Sequence, residues 1–276
     1  GLEFDIHGDF IRKKDFRWTG NLNISRNVSK VLDINGGPFS DPNDRDAMNL
    51  GTSVVKEGEP LGLLYGRVAT GIIKTQAQLE AAREEFSLWT IFDPYLNLGD
   101  IAYEYEDGFW KEDVIGHATP DFFGGYTNTI NWNRFTLTAL FTFSYGNDLI
   151  YQKDVSDSGM SSLANRGTRV LNHYSEDNTS SNRPRSMWAT TYMLSSLNVY
   201  DDSYLKLKTL SLSYNLPESI CRKVRIKSAS VYGTATNVFT ITSYPGPDPE
   251  VSDDPTSVIG GGRDVSTYPT VKSYTF

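Results

Sequence analysis

The sequence predicts an all-β fold, part of the wall of an antiparallel transmembrane β-barrel. Three observations support this prediction. Seven segments alternate apolar and polar residues, short and long connections follow one another strictly, and aromatic residues concentrate near the segment ends. The seven predicted strands are 2–10, 16–25, 122–132, 135–145, 204–214, 229–239 and 271–276.

Composition narrows the classes of protein to which this chain can belong. Hydrophobic residues make up 38%, mean hydropathy is −0.40, and no stretch approaches about eighteen apolar residues, so transmembrane helices are excluded. A barrel strand needs an apolar residue only at every second position. The formal net charge of −8 argues against a nucleic-acid surface, and the single cysteine excludes an intramolecular disulfide. Because the chain opens directly in strand alternation, we expect it to be cut from a longer protein.

The first two predicted strands each carry one apolar and one polar face. In 2–10 the even positions are apolar or glycine, and the odd positions are acidic or histidine until the strand ends. In 16–25 the even positions are again apolar or glycine, whereas the odd positions hold Arg, Thr, Asn and Ser. A period of two places each set on one side of a strand. About five residues, IRKKD, connect the pair and indicate a hairpin.

The next pair, 122–132 and 135–145, is separated only by Asn133 and Arg134. In FTLTALFTFSY (135–145) the odd positions are all apolar or aromatic, and the even positions are Thr or Ser except at Leu140. Alternation of this kind indicates a strand with one apolar face. By itself it leaves open whether that face packs against a protein core or faces lipid.

The last three predicted strands are less regular. In 204–214 the apolar residues change from odd to even positions between Leu207 and Leu210. A β-bulge near Lys208–Thr209 would restore a continuous apolar face. Segment 229–239 alternates more weakly, and 271–276 completes the set.

Connection lengths favour a membrane barrel over a soluble sandwich. The connections at about 28–119, 146–203 and 240–270 are long, and they alternate with short ones. An outer-membrane barrel has this pattern, with short periplasmic turns and long extracellular loops. A soluble sandwich has no reason to place every long loop at one end.

Aromatic residues near the strand ends fit two interfacial belts. The alternative is ordinary core packing in a soluble β protein. The belt near the short turns comprises Phe10, Phe16, Trp132 and Phe135, and the opposite belt comprises Phe122, Tyr145, Tyr204 and Phe239.

Seven motifs stand in order along the chain. They are FRWTGNLNISRNVSKV (16–31), EPLGLLYGRVATGI (59–72), GDIAYEYEDG (99–108), VIGHATPDFFGGYTNTINWNRFTLTALFTFSYGNDL (114–149), DDSYLKLKTLSLSYNLP (201–217), NVFTITSYPGPDPEV (237–251) and YPTVKSYTF (268–276). In order and spacing they resemble the C-terminal barrel half of SusC/RagA-type TonB-dependent outer-membrane transporters of the Bacteroidetes.

The resemblance implies that the chain supplies about the last third of a 22-stranded barrel with a plug in its lumen. It also implies a multi-pass outer-membrane protein that takes up oligosaccharides or peptides. A SusD-like lipoprotein lid would cover the extracellular mouth, and the TonB complex would act through an N-terminal region absent here. With this orientation we expect Leu140 to lie against the plug or a lumenal neighbour. The residues expected to face lipid are Phe135, Leu137, Phe141 and Phe143.

Aromatic side chains in the long loops are the candidate ligand contacts, because sugar rings and peptide side chains stack on exposed rings. For each of them the alternative is packing within the loops or against the lid. The candidates are Tyr65, Trp89, Tyr105, Trp110, Tyr174, Trp188 and Tyr192.

Two further motifs have structural alternatives. One is a calcium candidate, because acidic residues lie around an oxygen-rich EDG core; its residues are Asp100, Glu104, Glu106 and Asp107. These acids lack regular ligand spacing, and the alternative is a solvated acidic loop. GPDPEV (246–251) predicts a rigid turn that sets the loop rather than a ligand contact.

We find no enzyme motif. The three histidines show no metal spacing such as HExxH, and GRVATG lacks the lysine of a phosphate-binding loop. The sequence therefore predicts a transporter segment without catalytic chemistry or a required cofactor. The alternative is a secreted soluble β-sandwich that binds glycan, and a glycan-processing enzyme would need a carboxylate pair at a defined separation.

Overall fold

A computed structural model describes residues 1–34, 47–85, 96–159, 165–186, 193–253, 257, 259 and 261–276. The strands, in chain order, are β1 (Leu2–Lys13), β2 (Phe16–Arg26), β3 (Ala47–Asn49), β4 (Ser53–Lys56), β5 (Leu63–Arg67), β6 (Ala69–Ile72), β7 (Ile101–Tyr103), β8 (Tyr105–Glu106), β9 (Phe109–Trp110), β10 (Glu112–His117), β11 (Phe122–Trp132), β12 (Phe135–Tyr145), β13 (Asp148–Tyr151), β14 (Val199–Asp201), β15 (Tyr204–Asn215), β16 (Ser230–Thr242), β17 (Arg263–Asp264) and β18 (Ser273–Thr275). The α-helices are α1 (Gln76–Glu85), α2 (Gln152–Gly159) and α3 (Glu218–Lys223), and 3-10 helices span Thr168–Asn172 and Ser196–Asn198.

Seven strands form one antiparallel sheet, here called the wall sheet, in the order β1-β2-β11-β12-β15-β16-β18. Each predicted strand overlaps one of these seven strands, and β11 and β12 have the predicted bounds. β1 continues past residue 10 to Lys13, so the turn before β2 has two residues rather than about five. Asn133 in the next turn has a φ of 52°, a conformation that asparagine tolerates better than most residues.

One face of the wall sheet is apolar across the paired strands except at Asn128 of β11, which accepts a hydrogen bond of 3.1 Å from the Trp18 indole. Ile24 lies opposite Phe4 on β1 and Gly124 on β11, and Phe143 lies opposite Gly124 and Leu205. The predicted lipid-facing residues Phe135, Leu137, Phe141 and Phe143 all lie on this face, because they occupy alternate positions of β12.

The other face is polar and carries the alternate residues of the same strands. Leu140 lies on this face between Thr127 of β11 and Thr209 of β15, in a row that begins at His7 of β1 and passes through Asn21 of β2. Ser211 and Thr234 bond through their hydroxyl groups at 2.9 Å, which joins β15 to β16 on this face.

The predicted β-bulge lies on β15 at Lys208. In the pairing of β15 with β12, Leu207 and Thr209 have successive partners and Lys208 has none. The pairing of β15 with β16 also leaves Lys208 out. A second bulge, which the sequence did not predict, lies at Phe10, where the register moves from Asp9 to Ile11. Each bulge resets the alternation, so the apolar face stays continuous.

The three long connections carry small sheets of their own. β10-β5-β4-β3, β6-β7 and β8-β9 belong to the first connection, whereas β14-β13-β17 joins the second connection to the third. Within it β13 and β17 are parallel, with Ile150 opposite Arg263, in contrast to the antiparallel wall.

The two hydrophobic clusters found among the described residues lie in the first two long connections and not on the wall sheet. One contains Ile72, Ile101 and Tyr174, and the other contains Ala47, Val54 and Leu63. Side chains on the apolar face of the wall stay exposed instead, including Phe4, Ile6, Leu212, Val231 and Ile241. Within the described residues, no helix is both long and apolar enough to cross a membrane.

Aromatic rings gather at both ends of the apolar face. Phe122 stacks on Tyr145 at a centroid distance of 5.0 Å at the long-connection end, and Phe135 lies 4.7 Å from the ring of Tyr214 at the short-turn end. Tyr204, expected in the same belt as Phe122, is an exception. It lies opposite Ser144 on the polar face, so its ring belongs to the interior side.

Candidate functional site

A cavity of about 780 Å³ opens where the polar face of the wall sheet meets the long connections. We call it the mouth cavity. Wall residues on one side and residues of all three connections on the other enclose it, and a volume of this size is typical of ligand sites. Its lining includes Phe123, Thr142, Asn147, Asp148, Asp202 and Glu250.

Asp202 is the most buried acid of the mouth cavity, with only 4% of its surface exposed. Its Oδ2 accepts a hydrogen bond of 2.8 Å from Asn147 Nδ2, and its backbone N–H donates to the Asn147 carbonyl at 2.8 Å. No hydrogen-bond partner reaches its Oδ1 within the part of the chain that the structure describes. Burial, with smaller contributions from the charges of Asp201, Asp248 and Asp148, raises the pKa of Asp202 to about 8, against the lowering effect of the Asn147 hydrogen bond.

Lys206 anchors the GPDPEV turn to the wall sheet. Its Nζ, on the polar face of β15, lies 3.2 Å from Asp248 Oδ2, 2.5 Å from Glu250 Oε2 and 3.0 Å from Thr270 Oγ1. Lys208, at the bulge, reaches the same Glu250 oxygen at 2.6 Å. The side chain of Lys206 is 2% exposed, so its charge is neutralised by these acids rather than by water.

The same turn is fixed from within. Asp248 accepts from the backbone N–H of Glu250 at 3.0 Å and from the backbone N–H of Thr270 at 3.1 Å, and it also accepts from the Thr270 hydroxyl. Burial opposes ionisation of Asp248, but these hydrogen bonds and Lys206 outweigh it and lower the pKa of this carboxyl. These contacts hold GPDPEV as a turn, in agreement with the turn that the sequence predicts, and its Glu250 also lines the mouth cavity.

A second polar cluster packs behind the mouth cavity within the second long connection. Asp154 accepts hydrogen bonds from Arg183 at 2.7 Å and from the Tyr200 hydroxyl at 2.6 Å, and it lies 3.4 Å from Arg169. Burial, followed by the charge of Asp154, raises the pKa of Tyr200. These contacts fix helix α2 against strand β14.

Four of the predicted aromatic contacts lie in the described residues, and they differ in role. Tyr174 is buried against Ile72 and Ile101, and Tyr65 packs against the cluster of Ala47, Val54 and Leu63. Tyr105 and Trp110 are cross-strand partners on the β8–β9 hairpin, and the guanidinium of Arg67 lies 4.1 Å above the Trp110 ring. Trp89, Trp188 and Tyr192 lie outside the described residues.

The acidic calcium candidates are spread over separate structures. Arg185 binds Asp100 with two hydrogen bonds of 2.7 and 3.0 Å, and Lys111 binds Glu104 at 3.1 Å. Glu106 and Asp107 lie at the tip of the β8–β9 hairpin. Among the described residues, no three His, Cys, Asp or Glu side chains converge as a metal site would require.

Over its whole length the chain is similar to parts of TonB-dependent receptors. The chain is 31% identical over 282 residues to TonB-dependent receptor P3 of Formosa agariphila and 27% identical over 290 residues to TonB-dependent receptor P26 of the same organism. Both matches cover 100% of this chain, which spans 28% of the length of each receptor. No family model matches the sequence.

The fold likewise matches a segment of longer chains in solved structures. It matches the RagAB peptide importer in the open-open state with a TM-score of 0.70 and 22% identity, over 99% of this chain and 27% of that chain. A second structure, of the RagAB peptide transporter, matches with a TM-score of 0.71 and 22% identity, over 99% of this chain and 28% of that chain. The chain thus matches a segment of TonB-dependent receptors in sequence and a segment of the RagAB structures in fold.

Proposed function

We propose that the chain forms part of the barrel wall of a TonB-dependent outer-membrane importer. One observation carries the proposal: apolar side chains of the wall sheet are strongly exposed on β1 and β16 and remain partly exposed on β2, β11, β12 and β15. Phe4 is 61% exposed, Ile6 63%, Val231 65% and Ile241 62%. In water such a continuous apolar surface is costly and is found only where something covers it. Lipid provides that cover, and the polar opposite face then lines the lumen.

The dimensions of the wall strands suit a membrane. β11 and β12 have 11 residues each, which is the length that a tilted strand needs to cross a bilayer. The aromatic groups at the two ends of the apolar face fit the two headgroup regions. In this orientation Phe135, Leu137, Phe141 and Phe143 face lipid, and Leu140 faces the lumen. We further propose that these strands belong to a barrel of 22 strands.

The long connections then lie outside the cell, and the mouth cavity opens under the place where a partner lipoprotein would sit. RagAB is described as a peptide importer, and this chain shares its fold, so we propose a peptide or an oligosaccharide as the ligand. A SusD-like lipoprotein serves as the lid, and TonB acts on parts of the receptor outside this chain. Tyr105 and Trp110, on the β8–β9 hairpin of the first long connection, remain the proposed aromatic contacts to ligand or lid among the described candidates.

Heat-modifiable migration of the full receptor tests the barrel. Outer-membrane extracts are run on a gel with and without boiling, and the unboiled receptor should run as a compact, faster band. Recovery of the receptor in the soluble periplasm or the medium would favour the glycan-binding β-sandwich and overturn the proposal.

A matched pair of substitutions tests which face meets lipid. Phe141→Arg places a charge on the apolar face, at a cost of about 2–4 kcal/mol near the bilayer midplane. Thr138→Arg places the same charge on the polar face of the same strand and should be tolerated. The receptor level in the outer membrane is the measurement, and equal loss in both variants would contradict the assignment of the faces.

A further inference from the structure

The charged residues around the mouth cavity are unbalanced. Its described lining contains three acids, Asp148, Asp202 and Glu250, and no Lys, Arg or His. Glu250 is neutralised by Lys206 and Lys208 from outside the lining, at 2.5 and 2.6 Å. Asp148 and Asp202 have no ion-pair partner among the described residues. The cavity therefore holds two carboxyl groups whose charge, once they ionise, no described side chain would compensate.

Asp202 presents one carboxyl oxygen that has no partner among the described residues. Its Oδ1 is buried and has no hydrogen-bond partner among the described residues, although Oδ2 is held by Asn147 at 2.8 Å. A buried carboxyl oxygen without a donor costs free energy that a donor from a ligand would recover. Asn147 is itself fixed, since its Oδ1 accepts from the Ser144 hydroxyl at 2.8 Å, so the carboxyl is held in place before any ligand arrives.

We propose that Asp202 binds a cationic group of the imported ligand, an ammonium or a guanidinium, inside the mouth cavity; this rests on the importer function proposed above. A charged N–H donor satisfies the free oxygen and neutralises the charge in one contact, and such hydrogen bonds are the strong ones. A metal ion fits less well, because no three ligating side chains converge among the described residues.

The ionisation of the site gives the proposal a pH dependence. Asp202 is faced by Asp201 of β14, Asp148 of β13 and Asp248 of the GPDPEV turn, and burial with these charges raises the pKa of Asp202 to about 8. The empty site therefore holds a proton at neutral pH, and a bound cation displaces it. Binding of a permanent cation should strengthen as the pH rises from about 6 to about 8 and then level off.

Matched probes test the proposal on the full receptor with its lipoprotein, by isothermal titration calorimetry. One probe is a mixture of random octapeptides, measured free, acetylated only at the N-terminus, and acetylated at every amine. The other is a glucosamine oligomer compared with its N-acetylated form. We expect each free probe that binds to do so about ten-fold more tightly than its fully acetylated form. The singly acetylated peptides separate a terminal ammonium from a lysine side chain as the source.

The variant Asp202→Asn should remove this preference, so that free and acetylated forms bind alike. Glu218→Gln, an exposed acid on α3 at the opposite end of the wall, is the matched control and should keep the ten-fold difference. If the asparagine variant does not assemble, the comparison of probes and the pH profile on the wild-type receptor still decide.

Equal affinity of the free and acetylated probes for the wild-type receptor would overturn the proposal, as would a variant that loses affinity for both forms equally. If no probe binds at all, the cation site falls as well. The importer function is judged separately, since it depends on recovery of the receptor as a heat-modifiable outer-membrane protein.

Discussion

Gly8 and Gly20 lie directly opposite each other on β1 and β2, yet their surroundings differ. A Cβ atom on Gly8 would meet no atom within 4 Å, whereas a Cβ atom on Gly20 would lie 2.4 Å from Cε2 of Phe10 and 3.0 Å from the hydroxyl of Tyr126. The Phe10 ring occupies the space above Gly20 and packs on Trp18 at a centroid distance of 4.9 Å. A side chain at position 20 would therefore have to displace the Phe10 ring, whereas one at position 8 would displace nothing.

This difference predicts opposite effects of one substitution. Gly20→Val forces the Phe10 ring away and should destabilise the barrel by about 1–3 kcal/mol, as overpacking usually does. Gly8→Val adds a residue that favours strands and should have little effect. The temperature at which the fast-migrating band disappears is the measurement, and an equal decrease in both variants would refute the packing argument.

Lys206 gives a second prediction, on the anchoring of the third long connection. Lys206→Met leaves Asp248 and Glu250 buried with fewer partners, and breaking a buried pair in this way costs about 3–5 kcal/mol. We expect faster hydrogen exchange and proteolysis within 244–251. Arg222→Met is the control, because its pair with Glu218 is exposed and such pairs contribute about 0–1 kcal/mol. Unchanged protection in Lys206→Met would show that the turn is held by its own hydrogen bonds.

The bulge at Lys208 gives a third prediction. Deleting Lys208 removes the extra residue of the bulge. The side chains either before or after the deletion must then move to the opposite face of the sheet. We expect little assembled receptor in the outer membrane. Lys208→Gln keeps the bulge and loses only the ion pair with Glu250, so it should assemble normally. Normal assembly of the deletion variant would mean that the bulge does not set the register.

Asp202 gives a prediction on stability and pH. Burial raises the pKa of this carboxyl to about 8, whereas an unfolded aspartate titrates near 3.9. Between these values the folded state binds more protons, so its stability falls as the pH rises from about 4 to about 8 and is level above. Asp202→Asn removes this loss. Its stability relative to wild type should increase across that window, and a constant difference would contradict the prediction.

The strands of the wall were predictable because a single local signal specifies them. β11 and β12 match their predicted bounds because alternation continues on both sides of the turn at Asn133, with Asn128 and Leu140 as its exceptions. β1 was predicted too short, because the bulge at Phe10 moves Ile11 out of phase with the preceding residues. The strands of the long connections were missed because most have only two to five residues, too few to show a period.

The site was not predictable in the same way, because its partners are distant in sequence. Lys206 and Asp248 are separated by 42 positions, and Asn147 and Asp202 by 55. Lys206 at a polar position of β15 and Asp202 just before the same strand look unremarkable until the fold brings Asp248 to the lysine and Asn147 to the aspartate. The predicted aromatics were chosen by residue type and by their place in the long loops, which cannot separate a buried ring such as Tyr174 from one on a hairpin such as Trp110.

The parallel pairing of β13 with β17 also bears on the order of assembly. Ile150 and Arg263 are neighbours in this small sheet, yet the whole β15–β16 hairpin lies between them in the chain. In an outer-membrane wall that hairpin must be inserted and its far end returned to the cell surface before the two strands can meet. In the proposed outer-membrane wall we therefore expect their hydrogen bonds to form after those of the neighbouring wall strands, so that this small sheet joins the surface connections of an assembled receptor.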